Sequence, residues 1–134
     1  MFDVVYYKDL RGFEPVSDWI ADPDTANIRD SIDARITMLQ NHGPDLPTNM
    51  LRPIDPRGKK EARVNGFYEL RHRGKKWRIA VYHNLRKNYF VLLCAFRKSQ
   101  DIQPQEIDQA YAVLYEYLGR ENQTNVPASY RRYN

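Results

Sequence analysis

Positive charge is concentrated in one short stretch of this 134-residue chain. The chain as a whole carries a formal charge of +4, whereas the segment from Arg57 to Arg78 alone carries +7, with only Glu61 and Glu69 opposing its cations. The cations of this segment are Arg57, Lys59, Lys60, Arg63, Arg71, Arg73, Lys75, Lys76 and Arg78. Guanidinium groups bind phosphate through paired hydrogen bonds, and a local excess of cations is expected where a surface meets a polyanion.

Three consecutive strands are predicted to position these cations. The strands are expected at 63–73, 77–83 and 89–97, and the short turns between them require antiparallel hairpins. Because side chains alternate across a strand, the sequence predicts one shared face for Arg71, Arg73, Arg78 and Tyr82. Arg97 and Lys98 end the third strand at the rim of the same surface. Three adjacent strands are therefore predicted to contribute cations to one sheet surface.

The remaining elements complete an α+β pattern. A strand is predicted at 2–7, a short helix after Pro15, a longer helix at 25–42 and a last helix from Pro104 to Gly119. The Pro- and Gly-rich stretch 43–62 reads as a loop with room for one short strand. Segregated helices beside an antiparallel sheet give a two-layer domain at 1–119, with the first strand paired to a later one. Residues 120–134 are expected to form a polar C-terminal tail.

Several function classes lack their usual signals. The single Cys94 excludes an internal disulfide, and the three histidines show no metal-ligand spacing, so no metal or other cofactor is expected. No nucleophile elbow and no Gly-rich phosphate loop is present. The first residues lack a signal-peptide pattern, and the apolar runs are shorter than a membrane span, so a cytoplasmic protein without membrane contact is expected.

A phosphate held by clustered cations suggests RNA cleavage. A ribose 2′-hydroxyl could attack the neighbouring phosphorus, with fixed cations stabilising the charged phosphorane and a Lys, Tyr, His or Glu moving the protons. Tyr82 has both the right face and a cationic setting, whereas His72 shares the apolar face with Leu70 and reads as a packing residue. The competing interpretation is a basic sheet face that is simply solvated.

Four segments resemble the RelE/HigB superfamily of toxin–antitoxin toxins, in particular its phage-derived HigB-like branch. They are VVYYKDLRGFEPVSDWI, NHGPDLP, GFYELRHRGKKWRIAVYH and VLLCAFRKSQDIQPQEIDQA, which together extend over roughly residues 2–118. The resemblance implies a compact two-layer RelE-like fold with N-terminal helices and one C-terminal helix. It also implies metal-independent cleavage of messenger RNA on the ribosome, and neutralisation by a cognate antitoxin.

The family's functional positions map onto motifs in this chain. The resemblance assigns catalytic roles to Arg71 in YELR, to Arg78 in WRIAVY, and to Arg97 with Lys98 in AFRKS. Tyr82 is added to this set for its face and cationic setting, although it follows Arg78 by four residues where three is commoner in the family. Messenger and ribosomal RNA would be held by Lys59, Lys60, Arg63, Arg73, Lys75 and Lys76. The chain departs from the family pattern at Glu69, where relatives often carry a basic residue, and Glu69 would either act as a base or reduce the charge.

Three functions therefore remain open at this point. The first is a toxin endoribonuclease whose partners are messenger RNA on the ribosome and a small helix-turn-helix antitoxin. The second is a non-enzymatic RNA-binding or interaction module on the same fold. The third is a phage structural or regulatory protein whose basic face meets an acidic protein.

Overall fold

The computed structural model describes residues 1–55, 64–97, 104–123 and 130–133. Its helices and strands follow the predicted order with one addition at the C-terminal end. In chain order they are β1 (Asp3–Tyr7), α1 (Pro15–Ala21), α2 (Arg29–His42), β2 (Leu51–Pro53), β3 (Phe67–His72), β4 (Trp77–Asn84), β5 (Tyr89–Phe96), α3 (Pro104–Glu121) and β6 (Tyr130–Arg132). A 3₁₀ segment, Pro23–Ile28, joins α1 to α2.

The strands form one sheet in the order β2-β3-β4-β5-β1-β6. Neighbouring strands are antiparallel except β1 and β5, which run parallel. Parallel strands need a long connection, and here the chain passes through α1, α2, β2, β3 and β4 between β1 and β5. The first strand thus pairs with a later one, as expected. The predicted short strand in the Pro-rich stretch is β2, which pairs with β3 at the sheet edge.

The α+β class is confirmed, but helices cover both faces of the sheet instead of one. On one face Ile32, Ile36 and Leu39 of α2 are fully buried in a cluster with alternate residues of β3, β4 and β5. On the other face α3 packs in a second cluster through Ala110 and Leu114. The physical reason is the sequence of β5, YFVLLCAF, whose side chains are apolar on both faces of the strand. Each face of the sheet therefore needs a helix to cover it.

A β-bulge interrupts the pairing of β4 with β5. Ala80 pairs with Cys94 and Val81 with Leu92, so Leu93 is left without a partner in the register. Beyond such a bulge the side chains of the strand exchange faces relative to simple alternation. Leu93 and Cys94 accordingly both belong to the cluster under α3. The bulge therefore decides which way the end of β5 points.

The C-terminal end is more ordered than the sequence suggests. Helix α3 continues two residues past Gly119, and Arg120 is buried, with hydrogen bonds to the Glu116 carboxylate and the Lys8 carbonyl. Residues 130–132 form β6, which pairs antiparallel with β1. A strand at the edge of the sheet therefore lies within the stretch expected to be tail. None of the helices within the described ranges is both long and apolar enough to traverse a lipid bilayer.

Candidate nucleic-acid interface

Arg71 and Arg78 form a cross-strand pair. They are register partners on β3 and β4 and share one sheet face, as strand parity predicts. Helix α3 covers this face, whereas the sequence had suggested that the helices pack only against the opposite, apolar face. Only 7% of Arg71 and 6% of Arg78 is exposed. Like charges directly opposite in a sheet repel each other, and burial strengthens the repulsion. The pair therefore requires a nearby anion.

Glu69 supplies that anion. Its Oε1 lies 3.1 Å from Nη1 of Arg71 and 3.4 Å from Nε of Arg78, and the residue is 4% exposed. One carboxylate thus bridges two guanidinium groups and leaves the three-residue cluster with a net charge of +1. The sequence showed that Glu69 shares the face of Arg71, but not that it contacts both arginines.

An open groove gives access to this cluster at the edge of the sheet. Its cavity volume is about 390 Å³, and it is lined by Thr48, Asn49, Arg52, Pro53, Asp55 and Arg71. Nε of Arg71 is buried without a hydrogen-bond partner in the described part of the chain. A buried guanidinium with an unused donor at the wall of a groove is suited to bind an anion.

Arg52 is a groove residue that the sequence analysis missed. It is exposed and is the register partner of Glu69, so it lies on the same sheet face at the groove. Among the described residues no carboxylate forms an ion pair with it. The only sequence signal was the tripeptide LRP within a Pro-rich loop, and only the register of β2 on β3 relates it to Arg71.

Arg97 does not join the pair. Its guanidinium donates hydrogen bonds to the carbonyl of Asp24 and, at 3.2 Å, to Oδ1 of Asn27, both in the 3₁₀ segment that precedes α2. That segment packs on the face opposite α3. The expectation that the end of the third strand reaches the same surface is therefore wrong for Arg97, and the bulge at Leu93 is the reason.

Tyr82 shares the face of Arg78 but lies away from it. The two residues are four positions apart on β4, which corresponds to about 13 Å along a strand. Tyr82 packs against Tyr117 of α3, with ring centroids 5.9 Å apart, and lines a separate pocket beside the β4–β5 turn. Burial raises the pKa of its hydroxyl. Tyr82 therefore lies on the predicted face, four residues along β4 from Arg78.

The β3–β4 turn carries an exposed basic patch next to the pair. Arg73, Lys75 and Lys76 are exposed, and within the described ranges no acidic side chain forms an ion pair with any of them. The turn is closed by the Lys76 amide, which donates to the His72 carbonyl at 2.9 Å with Lys76 at φ 61°. The predicted contributions of Lys59, Lys60, Arg63 and Lys98 fall outside the described residues.

His72 is a packed residue on the other face, as its parity indicates. Its ring lies 6.1 Å from that of Trp77, and Nδ1 accepts a hydrogen bond from the Lys75 amide at 3.2 Å. Burial lowers the pKa of His72, and the positive charges of Arg35 and Lys75 lower it further. In the described parts of the chain, no three His, Cys, Asp or Glu side chains cluster as metal ligands would.

Comparison with known protein families gives a match over most of the chain. The model of the family described as Phage derived protein Gp49-like (DUF891) matches residues 18–114, a range from α1 to α3 that contains both Arg71 and Arg78. Neither a curated protein nor a solved structure matches the chain. The family is one of RelE-like toxins. Because its model matches well over half of the sequence, the chain belongs to this phage-derived, Gp49-like family.

Proposed function

We propose that this protein is the toxin of a type II toxin–antitoxin system, of the HigB-like branch, and cleaves messenger RNA on the ribosome without a metal. The observation that carries the proposal is the buried Arg71–Arg78 pair, of which Arg71 lines an open groove, beside an exposed basic turn. The family supports a toxin role in general. The groove supports RNA cleavage in particular, because a phosphodiester could reach Arg71 there.

The reaction requires charge stabilisation and two proton transfers. The ribose 2′-oxygen attacks the adjacent phosphorus and the bond to the 5′-oxygen breaks, giving a 2′,3′-cyclic phosphate and a 5′-hydroxyl end. Arg71 and Arg78 would stabilise the negative charge that develops on the non-bridging oxygens. The 2′-hydroxyl loses a proton and the 5′-oxygen gains one. Lys98, which follows β5, remains a candidate for these transfers.

The basic turn would hold the rest of the substrate. Arg73, Lys75 and Lys76 extend from the strand end next to Arg71, where they can meet neighbouring phosphates through contacts that carry no sequence information. Lys59, Lys60 and Arg63 are proposed to contribute similarly. The proposed partners are messenger RNA on the ribosome and a small helix-turn-helix antitoxin, in the cytoplasm.

Inducible expression in a bacterial host tests this function. The wild-type chain should arrest growth, and Arg71→Ala/Arg78→Ala should relieve the arrest. A matched control is Arg131→Ala/Arg132→Ala, which removes the same number of cations from the exposed edge strand β6. Arrest that persists unchanged in a folded Arg71→Ala/Arg78→Ala variant contradicts the proposed site.

A second candidate function is a non-enzymatic RNA-binding module. Two observations favour it: Glu69 already neutralises one of the two arginines, and Tyr82 is about 13 Å along β4 from Arg78. Salt-sensitive RNA binding without any cleaved product would support this function over the endoribonuclease.

A further inference from the structure

Glu69 occupies the position between two guanidinium groups that a phosphate would otherwise take. We infer that it is an internal counter-anion, which orients Arg71 and Arg78 in the free protein and competes with the RNA phosphate for them. The inference rests on the proposed function, since it concerns the same site. It assigns Glu69 as a positioning residue that limits the affinity of the site for anions.

The geometry supports a counter-anion. Carboxylate and phosphate oxygens accept the same charge-assisted hydrogen bonds from guanidinium, so a phosphate could take the place that Glu69 holds beside Arg71. The Glu69 oxygen lies within 3.5 Å of a nitrogen of each arginine, at 3.1 Å and 3.4 Å. Among the described residues Glu69 is the only anion paired with Arg71. The free chain thus holds this arginine in an ion pair that an incoming phosphate must share or replace.

Access to the groove makes such competition physically reasonable. Arg71 lines the groove while its Nη1 contacts Glu69, so a phosphate in the groove would approach a guanidinium that is already engaged. A negative charge this close opposes the entry of a second one, and the weak screening of a buried site preserves the effect. Removing the carboxylate charge should therefore increase anion affinity.

A counter-anion and a general base predict different kinetics for Glu69→Gln. A base takes a proton in the reaction, so its loss lowers kcat. A competing counter-anion opposes binding, so its loss lowers KM and the Kd for anions while kcat is retained. The split between the two constants separates these roles, and a purely structural role would not tighten binding at all.

The test compares purified wild-type protein with Glu69→Gln, Glu69→Asp and the control Glu116→Gln. Glu116 is another carboxylate paired with a buried arginine, Arg120 at 2.8 Å on α3. Affinity is titrated with inorganic phosphate and with a short RNA whose 2′-hydroxyls are methylated to prevent cleavage. Glu69→Gln should bind both about tenfold more tightly at low salt, the result of one less opposing charge. Glu69→Asp, whose carboxylate is one methylene shorter, should show a smaller gain, and Glu116→Gln none.

Each outcome tests either the counter-anion role of Glu69 or the endoribonuclease function. Unchanged or weaker anion binding by folded Glu69→Gln, or a lower kcat at unchanged KM, overturns the counter-anion. If Glu69→Gln does not fold, weaker binding by Glu69→Asp has the same consequence. Tighter binding without RNA cleavage by any variant, including wild type on ribosomes, supports the counter-anion and contradicts the endoribonuclease. Cleavage by wild type together with unchanged anion affinity in Glu69→Gln supports the endoribonuclease and contradicts the counter-anion.

Discussion

Replacing Glu69 by glutamine should destabilise the fold more than replacing either arginine it contacts. The amide keeps the shape of the side chain but takes the shared charge away from Arg71 and Arg78, which are register partners under 10% exposed. Breaking a buried ion pair by removing one partner costs about 3–5 kcal/mol. We expect about 3–4 kcal/mol for Glu69→Gln, since the amide oxygen still accepts a hydrogen bond.

Arg71→Met should cost much less. Methionine retains most of the aliphatic volume, and Glu69 keeps its contact with Arg78 at 3.4 Å. The expected loss is about 1–2 kcal/mol. The double variant Glu69→Gln/Arg71→Met should be more stable than Glu69→Gln alone, because Arg78 then no longer faces a second cation across the strand pair.

Urea unfolding and thermal unfolding, both followed by circular dichroism, measure these differences. For a chain of this length Glu69→Gln should lower Tm by about 10–15 °C, and the dependence of the unfolding free energy on urea should be unchanged. If Arg71→Met destabilises the protein as much as Glu69→Gln, or if the double variant is the least stable of the three, the shared carboxylate does not stabilise the pair.

Three further predictions concern other parts of the molecule. Tyr82→Phe should leave RNA cleavage on ribosomes within about twofold, because Tyr82 is four residues, about 13 Å of strand, from Arg78; a hundredfold loss would place its hydroxyl at the reaction. Lys75→Ala/Lys76→Ala should reduce the slope of log affinity for single-stranded RNA against log salt by about 1.4, and an unchanged slope would mean that the turn does not touch RNA. Burial lowers the pKa of His83 below 6.5, so the unfolded chain binds a proton first and stability should fall as the pH drops below 6.5. His83→Gln should show a smaller loss of unfolding free energy between pH 7.5 and pH 5.5, and an equal loss would refute this origin.

Local patterns were sufficient to predict most elements of the fold. Ile32, Ile36 and Leu39 recur at helical spacing in the sequence of α2, a pattern typical of a buried helix face, and all three are fully buried. The β5 sequence YFVLLCAF is apolar on both sides of the strand, a pattern typical of a central strand, and β5 lies inside the sheet. What the pattern did not reveal is which sheet face α3 covers. Helical periodicity shows that a helix has an apolar side, whereas the face it covers depends on tertiary packing.

The candidate site was predicted in part for similar reasons. Strand parity placed Arg71 and Arg78 on one face because alternation is a local property of extended backbone. The bulge at Leu93 has no such local signal, and one extra residue was enough to direct Arg97 to the opposite side. The contact of Glu69 with both arginines depends on side-chain conformation and cross-strand register, which a single sequence does not reveal.

The ends of the RNA products test the central claim most directly. Purified protein is added to ribosomes translating a defined message, and the new 5′ and 3′ ends are mapped and chemically identified. We expect 5′-hydroxyl and 2′,3′-cyclic phosphate ends that disappear with folded Arg71→Ala/Arg78→Ala and persist with Arg131→Ala/Arg132→Ala. Products with 5′-phosphate ends, or the same cleavage by the Arg71→Ala/Arg78→Ala protein, would contradict it.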